Sequence, residues 1–133
     1  MDLPDRYVHR ALIPPSRREL EREVFRETAY RAAHALLDVD PPPSAVFANF
    51  DLVAAAVLTV ARERGIRVPD DLAVVGFDDS DFAAFLGLTT VRQHLFKSGR
   101  IAFQLLREQL KSSTWRAAES VSLPLDVVPR STA

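Results

Sequence analysis

Two short apolar stretches of the sequence are each followed at once by side chains that could bind a small molecule. Asn49, Phe50 and Asp51 come directly after residues 45–48, and Asp78 comes directly after a second apolar run. A carboxylate can accept hydrogen bonds from two hydroxyl groups, and an amide both donates and accepts them. These residue types predict a ligand that carries neighbouring hydroxyl groups, such as a sugar or a ribose.

Each of these candidates also has an ordinary structural interpretation. Asp51 could cap the helix that follows it, because a carboxylate there accepts a backbone amide and complements the helix dipole. Asn49 could serve only the turn, and Phe50 could either stack on a ligand or pack beneath the loop. Turn formation explains residues 79–81 well. It explains Asp78 less well, since that carboxylate follows apolar residues directly and would be partly desolvated at the rim of the sheet.

Gln93 is the fifth candidate. It lies just beyond a stretch, residues 89–91, that reads as extended chain. Its amide could supply both a donor and an acceptor to the same ligand.

The hydrophobic pattern predicts alternating strands and helices that would bring these residues together. The predicted strands are residues 45–48, 72–77, 88–91 and 120–128; the predicted helices cover 52–64, 82–86 and 95–111, with Gly65 as the stop of the first. This alternation is typical of an α/β fold, a three-layer sandwich with a mostly parallel sheet. Ligands bind at the carboxyl ends of such strands. The two polar sets would therefore face one cleft if the first two strands are neighbours.

The N-terminal part of the chain allows two interpretations. Residues 7–12 could form a short strand, and Ser16 with Glu19 fits a capping box. A helix would then run from there to Leu37. The first half of that helix is densely charged, and a loop is the alternative for it.

The composition argues against several classes of partner. Seventeen basic and eighteen acidic residues give a net charge of −1, whereas a chain that neutralises phosphates usually has a basic surplus. No apolar run approaches the roughly 20 residues of a membrane helix, and residues 1–5 do not resemble a secretory signal. We therefore expect a cytoplasmic protein that touches neither nucleic acid nor membrane through this chain.

Metal sites, cofactors and catalysis are not expected either. The sequence has no cysteine, and its three histidines lack the short spacing that metal ligands show. Asp78, Asp79 and Lys97 are loosely similar to the acidic strand ends and lysine of phosphoryl-transfer proteins. However, the sequence has no glycine-rich phosphate loop, so we expect no cofactor, no metal and no enzyme activity.

Three motifs together resemble the effector domain of the lactose/galactose repressor (LacI/GalR) family. They are AVFA at 45–48 leading to DLVA at 51–54, then GIRVPDDLAVVGFDD at 65–79, and finally LTTVRQ at 88–93. Their order and spacing are far more specific than GFDD alone would be. The resemblance covers residues 28–133 and leaves residues 1–27 unassigned.

The resemblance implies a type I periplasmic-binding-protein-like fold, with a small sugar-like effector held between two α/β subdomains. This chain would form mainly the C-terminal subdomain, and the helix over 95–111 would belong to the other subdomain of an intact protein. Asp78 and Gln93 would line the effector pocket, with the turn at 49–51 on its wall. Operator DNA would be bound by an N-terminal helix-turn-helix domain that has no counterpart in these 133 residues.

The sequence departs from the family pattern at three places. Phe50 stands where the family usually has Asn, which predicts either a less polar pocket or a substitute role for Asn49. The Gly-Tyr pair of the family is Ala29-Tyr30 here, and its terminal Arg-x-Ser-Thr becomes Pro-Arg-Ser-Thr at 129–132.

A solute-binding protein of the same fold, without DNA binding, is the alternative function. The many apolar residues of the helix over 95–111 predict a homodimer or higher oligomer.

Overall fold

A computed structural model describes residues 18–111 and 120–133 of the chain. The expected strand at 7–12 and the expected cap at Ser16 lie outside the described residues. Along the chain the elements are α1 (Arg18–Leu37), β1 (Ala45–Phe47), α2 (Asp51–Glu63), β2 (Ala73–Asp78), α3 (Asp81–Phe85), β3 (Thr89–Arg92), α4 (Leu95–Lys111) and β4 (Asp126–Val128). The charged stretch before Leu37 is therefore helical from Arg18 onward and not a loop.

The four strands form one sheet in the order β1-β2-β3-β4. The first three are parallel and β4 runs antiparallel to β3, which confirms the α/β class with a mostly parallel sheet. The last strand is shorter than the expected residues 120–128. A strand extends only as far as its partner, and β3 offers it just the positions from Thr90 to Arg92.

The core lies between one face of the sheet and the helices α1 and α2. Alternate residues of a strand point to opposite faces, and Val74 and Gly76 of β2 are the buried ones. On α2 the buried residues are Asp51, Ala54, Val57, Val60 and Ala61. Gly65 has a φ of +69° just after this helix, a conformation that glycine adopts without strain, so the expected helix stop is confirmed.

The opposite face of the sheet keeps much of its apolar surface exposed. The rings of Phe47 and Phe77 pack edge to face there, 6.3 Å between centroids, while Phe47 and Val127 are each about two thirds exposed. No residue of α4 is buried. Within the part of the chain that the structure describes, helices thus cover only one face, and the third layer of the expected sandwich comes from none of them.

No described helix combines the length and apolarity that crossing a membrane requires.

Candidate functional site

The topology places all five candidate residues along one edge of the sheet. Because β1 and β2 are parallel neighbours, the residues that follow them emerge at the same edge, and β3 adds Gln93 beside them. The expectation that the first two strands are neighbours is therefore confirmed. The five residues lie at three different levels of this edge, however.

Asp78 and Gln93 are in direct contact at the centre of the edge. The side-chain amide Nε2 of Gln93 donates a hydrogen bond to Oδ1 of Asp78 at 2.6 Å. Both side chains are partly exposed. A carboxylate has about four lone-pair positions, so the pair presents further acceptors of Asp78 and the amide oxygen of Gln93 to any ligand at this edge.

The backbone at the end of β2 is strained. Asp78 has a φ of 114° and Asp79 a φ of 53°, and a residue with a Cβ seldom adopts positive values. Each such residue costs on the order of 1–3 kcal/mol, and the surrounding contacts must hold it in place. Strain of this kind is common at ligand sites, and here it turns two consecutive carboxylates in different directions.

Asp51 lies beneath the edge and not on it. It is only 1% exposed. Its Oδ2 accepts hydrogen bonds from both the backbone amide and the hydroxyl of Ser80, each at 2.7 Å, and its Oδ1 accepts the hydroxyl of Thr90 at 2.5 Å. The carboxylate therefore joins the start of α2 to the loop after β2 and to the middle of β3.

The capping interpretation of Asp51 is wrong. The N-cap position of α2 is Phe50, which has no side-chain cap bond, and Asp51 is the first residue of the helix itself. Its carboxylate points across the sheet toward donors 29 and 39 residues further along the chain. A capping pattern involves only residues close together in sequence, so it cannot predict contacts over such distances along the chain.

Asn49 and Phe50 form the outer end of the edge. Both are exposed, and Phe50 keeps 44% of its surface accessible. Its ring packs edge to face on Phe25 of α1, with centroids 6.4 Å apart. Phe50 is thus packed on one side and still presents an aromatic surface at the rim.

Asp79, Arg92 and Arg130 form an ion-pair cluster that the sequence reasoning missed. Asp79 accepts Nε of Arg92 on Oδ2 at 2.6 Å and Nη2 of Arg130 on Oδ1 at 2.7 Å, and its side chain is only 10% exposed. The hydrogen bond from Arg130, followed by that from Arg92, lowers the pKa of Asp79 below its ordinary value, against the opposing effect of burial. The sequence pattern predicts only a turn at Asp79. It cannot reveal this ion pair, because Arg130 lies 51 positions further along the chain.

The C-terminal residues beyond β4 are hydrogen-bonded to the sheet through Thr132. The hydroxyl of Thr132 donates to the carbonyl oxygen of Val74 at 2.7 Å and accepts the amide of Thr89 at 2.9 Å. The backbone amide of Val74 in turn donates to the carbonyl oxygen of Thr132 at 2.7 Å. Thr132 therefore bridges β2 and β3 where their own pairing begins.

The candidate edge is open to solvent in part, since Asp78 and Gln93 are partly exposed and Asn49 and Phe50 are exposed. A groove of about 420 Å³ lies elsewhere, between α1 and α2, where Tyr30 and Leu52 contribute to its walls. None of the five candidate residues lines it, and its walls combine apolar side chains with the polar ones of Glu23, Arg26, Glu27, Tyr30 and Thr59. Within residues 18–111 and 120–133, no group of three or more His, Asp or Glu side chains could hold a metal ion. The edge can therefore offer hydrogen bonds to one side of a ligand.

Comparison with known proteins identifies the fold. The family model described as a periplasmic binding protein-like domain matches residues 5–133. The HTH-type transcriptional repressor CytR of Escherichia coli K12 is 39% identical over 87 residues, which are 64% of this chain and 26% of the repressor. The chain thus spans about a quarter of the length of this curated relative.

Two solved structures of regulators are similar over most of the chain. The transcriptional regulator CelR in complex with cellobiose is 35% identical, with a TM-score of 0.73, over 81% of this chain and 33% of CelR. A LacI family regulator from Lactobacillus casei with bound sucrose is 30% identical, with a TM-score of 0.67, over 81% of this chain and 40% of the regulator. The chain belongs to the periplasmic binding protein-like domain family, in the form found in LacI-type transcriptional regulators.

Proposed function

We propose that this chain is the ligand-sensing part of a transcriptional regulator and that a small sugar-like effector binds at the sheet edge marked by Asp78 and Gln93. The observation that carries the proposal is the hydrogen-bonded pair itself, an acidic acceptor beside an amide at the carboxyl end of two parallel strands. The two similar regulators that hold cellobiose and sucrose support a sugar as the class of ligand.

Binding would use groups that are already in place. Two neighbouring hydroxyl groups of a sugar would donate to the carboxylate of Asp78, and Gln93 would turn its amide from Asp78 to the ligand. Phe50, half-exposed at the rim, would offer an aromatic face to the apolar side of the sugar ring. Asp51 would support the loop from below without touching the ligand.

Because the edge covers one side of a ligand, the other side of the site must come from elsewhere in the whole regulator. We assign residues 28–133 to the C-terminal part of the effector domain and α4 to the second subdomain. The absence of any buried residue in α4 supports that placement. The regulator would act in the cytoplasm, without catalysis, as a homodimer that contacts operator DNA through a separate N-terminal domain.

Regulation then follows from differential affinity. A sugar that binds more tightly to one conformation of the regulator shifts the population toward that conformation, and the affinity for DNA changes by the same coupling free energy. A sugar that binds both conformations equally would change nothing.

The test is a calorimetric titration of the complete regulator with cellobiose, sucrose and glucose, for the wild type and for Asp78→Ala. Hydrogen bonds to a charged group contribute about 1.5–3 kcal/mol, and about 1.4 kcal/mol is a tenfold change. We therefore expect the variant to bind the sugar about 10- to 100-fold more weakly. Asp81→Ala, an exposed acid three residues further along, is the matched control and should bind as the wild type does.

The same titration in the presence of operator DNA separates regulation from simple binding. A change in DNA affinity on adding sugar supports the proposal. Sugar binding that leaves DNA affinity unaltered would favour a plain solute-binding role, and unchanged sugar affinity in Asp78→Ala would refute the assigned site.

A further inference from the structure

The contact between Asp78 and Gln93 has a second contact directly beside it. Two consecutive residues at the end of β2, Asp78 and Asp79, meet two consecutive residues at the end of β3, Arg92 and Gln93. Asp78 pairs with the amide of Gln93 and Asp79 with the guanidinium of Arg92, both at 2.6 Å. In the second pair the side chain of Asp79 is 10% exposed and that of Arg92 is 47% exposed.

Asp79 is fixed from several directions. Arg130, which binds its other oxygen, also donates from Nη1 to the carbonyl oxygen of Leu88 at 2.6 Å and from its backbone amide to the hydroxyl of Thr89 at 2.9 Å. Arg130 is therefore anchored at the start of β3, while Arg92 lies at its end. The carboxylate of Asp79 thus contacts the guanidinium groups of two arginines whose backbones lie near opposite ends of that strand.

Among the described residues, the carboxylate of Asp78 has a single hydrogen-bond partner, Gln93, while its backbone pairs with Arg92 in the sheet. Its backbone is held at a φ of 114°, a conformation that an unrestrained aspartate leaves readily. The residue after it is bound by two arginines, and Ser80 is bound by Asp51. The direction of the Asp78 carboxylate is thus imposed by its neighbours.

We infer that Asp79, clamped by Arg92 and Arg130, is a positioning residue that holds the Asp78 carboxylate in contact range of Gln93 and so aims it at the open edge. This role of Asp79 rests on the proposed function, because a ligand would depend on Asp79 only if it binds at Asp78. The geometric part concerns this chain alone and can be tested without any ligand.

The experiment follows the side-chain amide resonances of Gln93 by NMR in the wild type, in Asp79→Asn and in Arg92→Gln. In both variants we expect these resonances to move away from the wild-type position and toward that of Gln104, which is exposed on α4. A role confined to overall stability would lower the melting temperature but leave the Gln93 signal of the folded protein unmoved. That result in both variants would overturn the inference.

Two internal controls keep the outcome interpretable. The backbone amide of Ser80 should stay protected from hydrogen exchange in Asp79→Asn, because Asp51 holds it, and Asp81→Asn should leave Gln93 unmoved. If Asp79→Asn does not fold, Arg92→Gln decides alone, since the Arg92 side chain is 47% exposed and its loss is mild. Failure of the sugar titration with a shifted Gln93 signal would refute the proposed function and retain this inference.

Discussion

The hydroxyl of Thr90 lies 2.5 Å from Oδ1 of Asp51, and this contact ties the start of α2 to the middle of β3 beneath the candidate site. The same hydroxyl lies 3.4 Å from the backbone amide of Asp79. A buried carboxylate is costly unless donors surround it. Here three donors do so, and their combined geometry fixes the loop that follows Asp78.

We predict that Asp51→Asn destabilises the fold by roughly 2–4 kcal/mol, because the asparagine NH₂ would face donors and leave at least one of them buried without a partner. Chemical denaturation measures this difference. Asp70→Asn is the control, since Asp70 is about two thirds exposed and should change stability by no more than about 0.5 kcal/mol. An equally small effect for Asp51→Asn would contradict the importance of this contact.

Gly76 is expected to be intolerant of alanine. An added Cβ would collide with Oδ1 of Asp51 and would lie 2.9 Å from Cδ2 of Leu88, so overpacking should cost about 1–3 kcal/mol. Gly99 gives the matched comparison, because nothing lies within 4 Å of its added Cβ. Gly99→Ala should stabilise α4 by up to about 1 kcal/mol through helix propensity. Equal effects of the two substitutions on the unfolding free energy would count against this packing.

Thr132 should stabilise the sheet through its hydroxyl. Thr132→Val keeps the shape but leaves the amide of Thr89 and the carbonyl of Val74 without this partner, at a cost of about 1–3 kcal/mol. Thr132→Ser keeps the hydroxyl and should lose only about 0.8 kcal/mol for the buried methyl. Urea unfolding of both variants measures their free energies of unfolding. A serine variant that is less stable than the valine variant would contradict this role of the hydroxyl.

The dependence of the unfolding free energy on pH should show the contribution of the Asp79 ion pairs. The pKa of Asp79 is lowered in the folded protein, so its pairing contributes stability that is complete above the unfolded pKa of about 3.9 and is lost as the pH falls through the folded value. The difference in unfolding free energy between wild type and Asp79→Asn should therefore be constant from about pH 7 to 5 and shrink below about pH 4. A difference that grows on acidification would contradict the sign of this shift.

The exposed apolar face of α4 should drive self-association of this chain. Its exposed large hydrophobic residues are Leu95, Phe96, Phe103, Leu106 and Leu110, and apolar patches of this kind favour association. We expect a dimer or larger species in sedimentation velocity at micromolar concentration and a shift toward monomer in Phe103→Glu. A monomeric wild type would rule this out, and Gln104→Glu, at an exposed position of the same helix, controls for the change of charge.

Local patterns sufficed to locate most of the secondary structure. The expected helices at 52–64, 82–86 and 95–111 lie within one residue of α2, α3 and α4 at each end. The 3.6-residue periodicity of helices and the short apolar runs of buried strands involve only residues close together in sequence. They can therefore be recognised without knowing the fold. The final strand was overestimated because its length depends on how much of β3 is available to pair with it.

The sequence by itself determined which acidic and amide residues gather at one sheet edge, since parallel strands in chain order place their following residues together. Only the tertiary structure decided their different surroundings. Asp51 is buried among Ser80 and Thr90, Asp79 is clamped by two arginines, and Asp78 alone faces the open edge beside Gln93. Three aspartates that look alike in the sequence differ because their partners come from residues 13 to 51 positions away. The hydrogen-bond partners of these carboxylates are therefore set by folding and cannot be read from the residues beside them in the chain.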